Sequence, residues 1–235
     1  EDADLFFGRE ELTSRLVTRM RDSISVEPPL RFLAVVGASG SGKSSIVRAG
    51  LVPALRRTAP FAGWLVQTLT PTDRPLEALA SSLNPQVESV ASVATLMDDL
   101  ARDHRSAHLA AARLLGKSKT TQRGREHKGV LLVIDQFEEL FTLCHNEDER
   151  RAFIDNLMTA VTEPGVITFV VLALRADFYN QCAPYAALRD ALASHQEYIG
   201  LMSATELRRA IEEPAKRGGW ELEPGLVELL LQAVG

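Results

Sequence analysis

Residues 37–44 read Gly-Ala-Ser-Gly-Ser-Gly-Lys-Ser, a spacing of residue types that suits one chemistry above others, the holding of phosphate groups. Gly37, Gly40 and Gly42 let the chain turn tightly, so that this stretch, with Ala38, Ser39 and Ser41 between the glycines, wraps successive backbone N–H groups round an anion. A helix beginning near Lys43 adds the partial positive charge of its N-terminus. Lys43 is a point charge for the terminal phosphates, Ser44 offers a hydroxyl to a divalent cation, and Ser45 continues the same turn. The competing explanation is a glycine-rich turn that matches by chance. It fails because all eight positions agree, with an apolar strand before them and a helical run after them.

A second group of residues supplies the opposite charge. The stretch VLLVIDQFEEL, residues 130–140, is a run of apolar residues that ends on Asp135, with Glu138 and Glu139 just beyond. Carboxylates at the mouth of a core strand are costly to bury unless a cation or a hydrogen-bond donor meets them. A nucleotide-bound Mg²⁺ held jointly by Ser44 and Asp135 meets that need. Gln136 follows Asp135, so no acid stands directly after the metal carboxylate, and Glu138 or Glu139 is left to polarise an attacking water. The plainer reading of the two glutamates is a helix start whose acids complement its dipole. Arg175 ends the strand-like run VVLALR, where its planar fork suits a γ-phosphate. The plainer reading there is a surface arginine at a strand end.

Elements able to hold these groups follow from the pattern. Strand-like runs span Arg31–Val36, Trp64–Leu69, Val130–Asp135, Val166–Leu174 and Glu197–Met202. Leu12, Leu16 and Met20 recur every four residues and predict a helix over 9–22. Residues 43–57, 93–115 and 149–161 also read as helices. Strands alternating with helices give an α/β protein with a parallel sheet covered on both faces. Residues 116–129 are polar and basic and read as a surface loop before the third strand. A nucleic-acid contact is the competing reading there, and the lack of interleaved aromatic residues favours a solvated loop over it. From Ser203 the pattern is helical, with Ser203 or Thr205 as the cap. A helical subdomain therefore starts near 203 and is cut off at 235.

Composition narrows the function classes. The formal net charge of −5 argues against non-specific binding to nucleic acid over the whole surface. Cys144 and Cys182 are far apart and in no ligand spacing, which reads as two reduced thiols in a cytoplasmic protein. The longest apolar run, near 169–174, is far short of the roughly 18 residues of a membrane helix. The first residues are acidic where a leader would be basic. The missing initiator Met and the apolar final segment read as a piece cut from a longer protein.

Taken in order, FFGRE, GASGSGKSS with RAGLVPAL, IDQFEELF, LALRADFY and LRRAIEEPAKRGG resemble the STAND class of signalling ATPases, specifically the bacterial novel-STAND type. The resemblance spans nearly the whole chain. It implies a three-layer P-loop NTPase core of the ASCE type over residues 1–202, with sheet order 5-1-4-3-2, and the start of a helical lid over 203–235. It places Asp135, Glu138 and Glu139 on the acidic pattern of related NACHT ATPases and Arg175 on the first sensor position. Gly8 and Arg9 fall on the element that in relatives lies against adenine and ribose, and Pro214 on the lid proline that touches adenine. The implied ligands are ATP or ADP with Mg²⁺. The implied behaviour is an ADP-bound closed monomer and an ATP-bound form that self-associates and drives sensor or effector modules on the same full-length chain.

Two other readings stand beside this one. An AAA-like mechanical or DNA-associated ATPase has the same core and is favoured by a lid arginine, for which Arg208 and Arg209 qualify. A nucleotide-binding scaffold without hydrolysis fits Gln136 in place of an adjacent base. No LSGGQ-like stretch points to a transporter subunit, and a small-molecule kinase has no need of the DQFEE array.

Overall fold

The computed structural model describes residues 2–25, 30–85, 90–121 and 128–234. Strands buried on both faces carry no polar alternation; the three central strands of this chain are of that kind, and the two edge strands are only partly buried. The strands are Phe32–Gly37 (β1), Leu65–Leu69 (β2), Gly129–Ile134 (β3), Ile167–Arg175 (β4) and Gln196–Ile199 (β5). All pairings are parallel and the order is β2-β3-β4-β1-β5, which is 5-1-4-3-2 read from the other edge.

Because successive strand residues point to opposite faces, the sheet separates two cores. Phe32, Ala34, Val36, Leu132, Ile134 and Leu172 face one, and Leu33, Val35, Leu131, Val133, Phe169 and Val171 face the other. The second core is covered by α1 (Glu10–Ser25) and by a continuous helical run. That run comprises α2 (Lys43–Ser45), a π-helical segment (Ile46–Leu51) and α3 (Val52–Arg56). Leu12, Leu16 and Met20 are buried as their spacing predicts. The first core is covered by α4 (Pro75–Leu83), α5 (Val90–Arg102) and α6 (Ser106–Thr121). A short turn of helix, α7 (Glu139–Thr142), follows β3, and α8 (Glu147–Ala160) and α9 (Ala186–Ser194) complete that layer. After β5 come α10 (Ala204–Arg217) and α11 (Leu226–Val234). No helix of the described residues is long and apolar enough to cross a membrane.

Four local expectations are corrected. The helix over 43–57 widens into a π turn just before Pro53, which has no N–H for a regular turn, and Val52 N–H bonds Val47 O instead. The helix over 93–115 breaks at Asp103, whose carboxylate accepts from Arg105 N–H at 2.9 Å. Buried Asn156 holds that break open by accepting from Ala107 N–H at 3.0 Å and donating to Leu100 O at 2.8 Å. Residues 116–121 continue α6 instead of starting a loop, residues 122–127 lie outside the described residues, and Gly129 already belongs to β3. Finally, β5 ends at Ile199, short of Met202.

At the head of α10, Ser203 is the cap. Its hydroxyl accepts from Glu206 N–H at 3.2 Å, and the Glu206 carboxylate accepts from Ser203 N–H at 2.8 Å.

Candidate functional site

The strand order decides which residues meet. β4 lies between β1 and β3, and Gly37 pairs in register with Arg175. The loop after β1, the acids after β3 and the arginine ending β4 therefore emerge side by side at the carboxyl edge of the sheet. That edge is where open α/β sheets hold ligands.

Gly42 takes φ of +86°, a conformation that L side chains rarely adopt, and so turns the chain into α2. Lys43 is buried, and its ammonium donates to Gly37 O at 3.0 Å and Ala38 O at 2.7 Å. Burial pushes the Lys43 ammonium below the usual lysine range, with Arg175 adding to this and Glu138, Asp177 and Asp135 opposing it. Ser44 Oγ donates to Asp135 Oδ1 at 2.7 Å. Asp135 N–H is fixed by Leu69 O at 2.9 Å, so the acid is carried by the β2–β3 edge.

Gln136 has φ of +51°, an uncommon conformation for a residue with a side chain. It sends Phe137 into the core, where Phe137 N–H bonds Ala173 O at 2.9 Å, and it brings Glu138 back toward the loop. Glu138 Oε2 accepts from Arg175 N–H at 3.2 Å. Glu139 begins α7, and burial, then the charges of Glu138 and Asp135, push its carboxyl up. The Arg175 guanidinium forks onto Asp177, with contacts of 3.1 and 2.7 Å, and lies 5.2 Å from the centre of the Phe178 ring.

A cavity of about 310 Å³ is lined by Ser39, Gly40, Gly42, Lys43, Ser44, Ser45, Asp135, Gln136, Glu138 and Arg175. Glu139 is absent from that lining. A second cavity of about 360 Å³ shares Gly40 and Gly42 and is otherwise lined by Arg9, Ser41 and the largely apolar set Leu201, Met202, Ala204, Leu207 and Leu231. A polar chamber thus lies beside an apolar one with the glycine loop lining both, which is the division a nucleotide has between its phosphates and its base. Among the described residues no cluster of three or more His, Cys, Asp or Glu could hold a metal by itself. A hydroxyl and a carboxylate at hydrogen-bond distance suit Mg²⁺, which takes its other ligands from water and phosphate oxygens.

The FFGRE element approaches the second cavity through Arg9. That side chain is buried, donates to Gly200 O at 2.6 Å and pairs with Glu206 at 3.4 Å. Gly8 sits against α10, where an added Cβ would meet Glu206 O at 2.3 Å. Pro214 lies within α10, where its carbonyl accepts from Gly218 N–H, and it lines neither cavity. Two participants went unassigned in the sequence reading. Arg48 pairs with Asp135 at 2.9 Å, and Asp177 holds Arg175. Both stand inside motifs already singled out, RAGLVPAL and LRADFY, and Arg48 falls four residues after Ser44, on the same helix face.

A sequence profile of the novel STAND NTPase 1 family matches residues 1–235. The chain belongs to this family. No curated protein sequence matches this novel STAND NTPase chain. Among solved structures it is similar to the Aeropyrum pernix ORC1 protein in complex with DNA, with a TM-score of 0.61 and 19% identity over 98% of this chain and 55% of that one. It is also similar to the Aeropyrum pernix ORC2 protein with ADPNP and ADP, with a TM-score of 0.56 and 13% identity over 88% of this chain and 52% of that one. A third likeness is to AMPPCP-bound DnaA from Aquifex aeolicus, with a TM-score of 0.50 and 12% identity over 96% of this chain and 56% of that one. These likenesses establish a P-loop ATPase fold of the ASCE type. The novel STAND NTPase chain spans about half the length of these structures.

Proposed function

We propose that this chain is the ATP-dependent switch of a signalling protein, binding ATP or ADP with Mg²⁺ and hydrolysing ATP slowly. Gly37 to Ser45 cradle the phosphates, Lys43 neutralises their outer oxygens, and Ser44 with Asp135 holds the metal. Mg²⁺, when bound, neutralises the phosphate oxygens. Glu138 orients the attacking water, with Glu139 a step removed, and Arg175 senses the γ-phosphate. Gly8 and Arg9 tie the base side to residues 203–235, read as the start of a helical lid, and Pro214 acts within that lid.

One observation carries this reading. Each group able to distinguish ATP from ADP is held by another protein group, Arg175 by Asp177 and Glu138 by the N–H of Arg175. A γ-phosphate that draws Arg175 away gains contacts ADP cannot make, and a nucleotide shifts a conformational equilibrium only through such differences. Self-association in the ATP state, and control of modules elsewhere on a longer cytoplasmic protein, complete the proposal. The mechanical or DNA-associated alternative draws less support, because Arg208 pairs with Glu212 and Glu228 and Arg209 pairs with Glu10, away from the phosphate cavity.

Calorimetry with ADP and ATP tests the assignment. Both nucleotides bind the parent chain, and Lys43→Ala weakens ATP by about tenfold or more. Unchanged ATP affinity in Lys43→Ala overturns the phosphate site. Turnover strongly stimulated by duplex DNA favours the mechanical reading instead.

A further inference from the structure

Asp135 is almost fully buried, its side chain 3% exposed, so each of its oxygens needs a partner. Oδ1 accepts from Ser44 Oγ at 2.7 Å and from Gln136 N–H at 3.0 Å. Oδ2 is met by Arg48 Nε at 2.9 Å, and among the described residues Arg48 is the cation that forms an ion pair with this carboxylate. A side chain on a helix leans toward the helix N-terminus, so a residue four beyond Ser44 is carried back over the Ser44 turn. The π-helical segment Ile46–Leu51, which contains Arg48, sets the direction of that arm, and π turns recur at functional sites.

The two partners are unlike in one decisive way. Asp135 is locked at the end of a core strand, whereas the Arg48 side chain is 56% exposed and free to move into water. The residue that can leave is the cation.

We propose that Arg48 is the protein's own stand-in for the divalent cation. It occupies Oδ2 of Asp135 in the metal-free state and must be displaced when Mg²⁺ binds. The inference rests on the nucleotide reading above, with Ser44 and Asp135 as the metal-holding pair. Arg48 keeps a buried carboxylate neutralised without metal, so the strand end and the phosphate loop stay assembled. It also raises the Mg²⁺ concentration the site requires, because the incoming ion competes with an arginine already in place. Nucleotide without metal then binds to an assembled site, and metal binding becomes a separate event that releases a guanidinium on the outer face of α2 and the π turn. Arg48 is here a positioning residue that acts through Asp135.

The test is a Mg²⁺ titration at fixed, saturating ADP, read by the fluorescence of an environment-sensitive ADP analogue, on the parent chain, Arg48→Met and Arg48→Lys. Arg48→Met should lower the half-saturating Mg²⁺ concentration by about tenfold, since a charged hydrogen bond to a buried carboxylate no longer competes. Arg48→Lys, which keeps the charge but loses the planar donor, should fall between. In EDTA, where Arg48 alone among the described residues neutralises Asp135, binding of the analogue should weaken in Arg48→Met and less so in Arg48→Lys, and circular dichroism reports whether each is folded. If Arg48→Met does not fold, the parent chain decides the matter. The Arg48 Nε–H proton, identified in NMR by its loss in Arg48→Lys, should be protected from exchange with ADP in EDTA and exposed once Mg²⁺ is added.

A half-saturation point that is unchanged or higher in Arg48→Met overturns the proposal and makes Arg48 a phosphate contact or a purely structural residue. Continued protection of the proton in the presence of Mg²⁺ also overturns it. Failure of the underlying reading looks different, because the parent chain then binds no ADP analogue at all.

Discussion

The two neighbouring cavities, one at each end of the candidate site, are made in different ways. The phosphate end is an extension of the core. Its residues sit on or next to β1, β3 and β4, whose neighbours are buried, and its polar groups are pinned by short contacts such as Ser44 to Asp135 at 2.7 Å. The other end is lined by Leu201, Met202 and residues of α10 and α11, and α10 is joined to the N-terminal segment mainly at the surface. Arg209 meets Glu10 at 2.9 Å and Arg217 meets Asp4 at 3.6 Å, and all four side chains are well exposed. Exposed pairs of this kind contribute about 0–1 kcal/mol each. The deep attachments are the two contacts of Arg9 and the packing of Gly8 on Glu206. A ligand that spans both ends therefore touches one wall that resists change and one wall that can shift at little cost. That asymmetry supports the nucleotide switch proposed above.

The sharpest way to break the comparison is to remove chemistry from the fixed end without disturbing its shape. Glu138→Gln keeps the bond accepted from Arg175 N–H but removes the charge that would orient water. Turnover should fall by about 10²-fold or more, with ATP affinity within a few-fold of the parent. Glu139→Gln should have a far smaller effect, since Glu139 starts α7 and does not line the phosphate cavity. Single-turnover hydrolysis measured beside equilibrium ATP binding separates the two. Normal turnover in both variants would mark the pair as a structural helix start.

The adjustable end is tested at Gly8. Its φ of +90° and the 2.3 Å approach of a built Cβ to Glu206 O leave no room for a side chain. Gly8→Ala should loosen α10 from the N-terminal segment, at a cost of about 1–3 kcal/mol. The expected signature is faster proteolysis near residues 200–203 and an ADP affinity lowered several-fold, with Mg²⁺ dependence unaltered. If protease sensitivity stays at the parent level, α10 is held by more than these contacts, and the two ends are less different than they look.

The same asymmetry governs what was legible in the sequence. The fixed end could be read because strand ends, glycine spacing and burial cost act locally. Gly37 to Ser44 and Asp135 announce their geometry in their own neighbourhood, and the alternation of strands and helices fixes a parallel sheet. Less legible were features that depend on a distant partner. The break between α5 and α6 needs Asn156 from α8, and no pattern in 93–115 reveals it. α4 had a local signal, Pro75 at its start with Leu76, Leu79 and Leu83 buried on one face, but the segment is short. Arg48 and Asp177 lie in motifs read only as strings. Their roles depend on which carboxylate or guanidinium the folded chain sets opposite them.

The smallest expected effect lies where the fixed end meets water. Asp177 is 56% exposed and grips Arg175 with two hydrogen bonds, so it competes with any γ-phosphate for that guanidinium. The hydrogen bonds from Arg175 hold the Asp177 carboxyl below the ordinary aspartate range. A group whose pKa is lowered by its partner contributes above its unfolded pKa and loses that contribution only as pH falls through the lowered value. The competition is therefore fully present around neutral pH. Asp177→Asn removes it, and the preference for ATP over ADP should rise by about two- to fivefold, the range of an exposed ion pair. ATP and ADP affinities measured side by side near neutral pH check this, and the excess preference of Asp177→Asn should shrink in acid, where the parent chain loses the same charge. An unchanged ratio at neutral pH would mean that Arg175 does not move to the γ-phosphate. The difference between ATP and ADP would then have to be read at Glu138 alone.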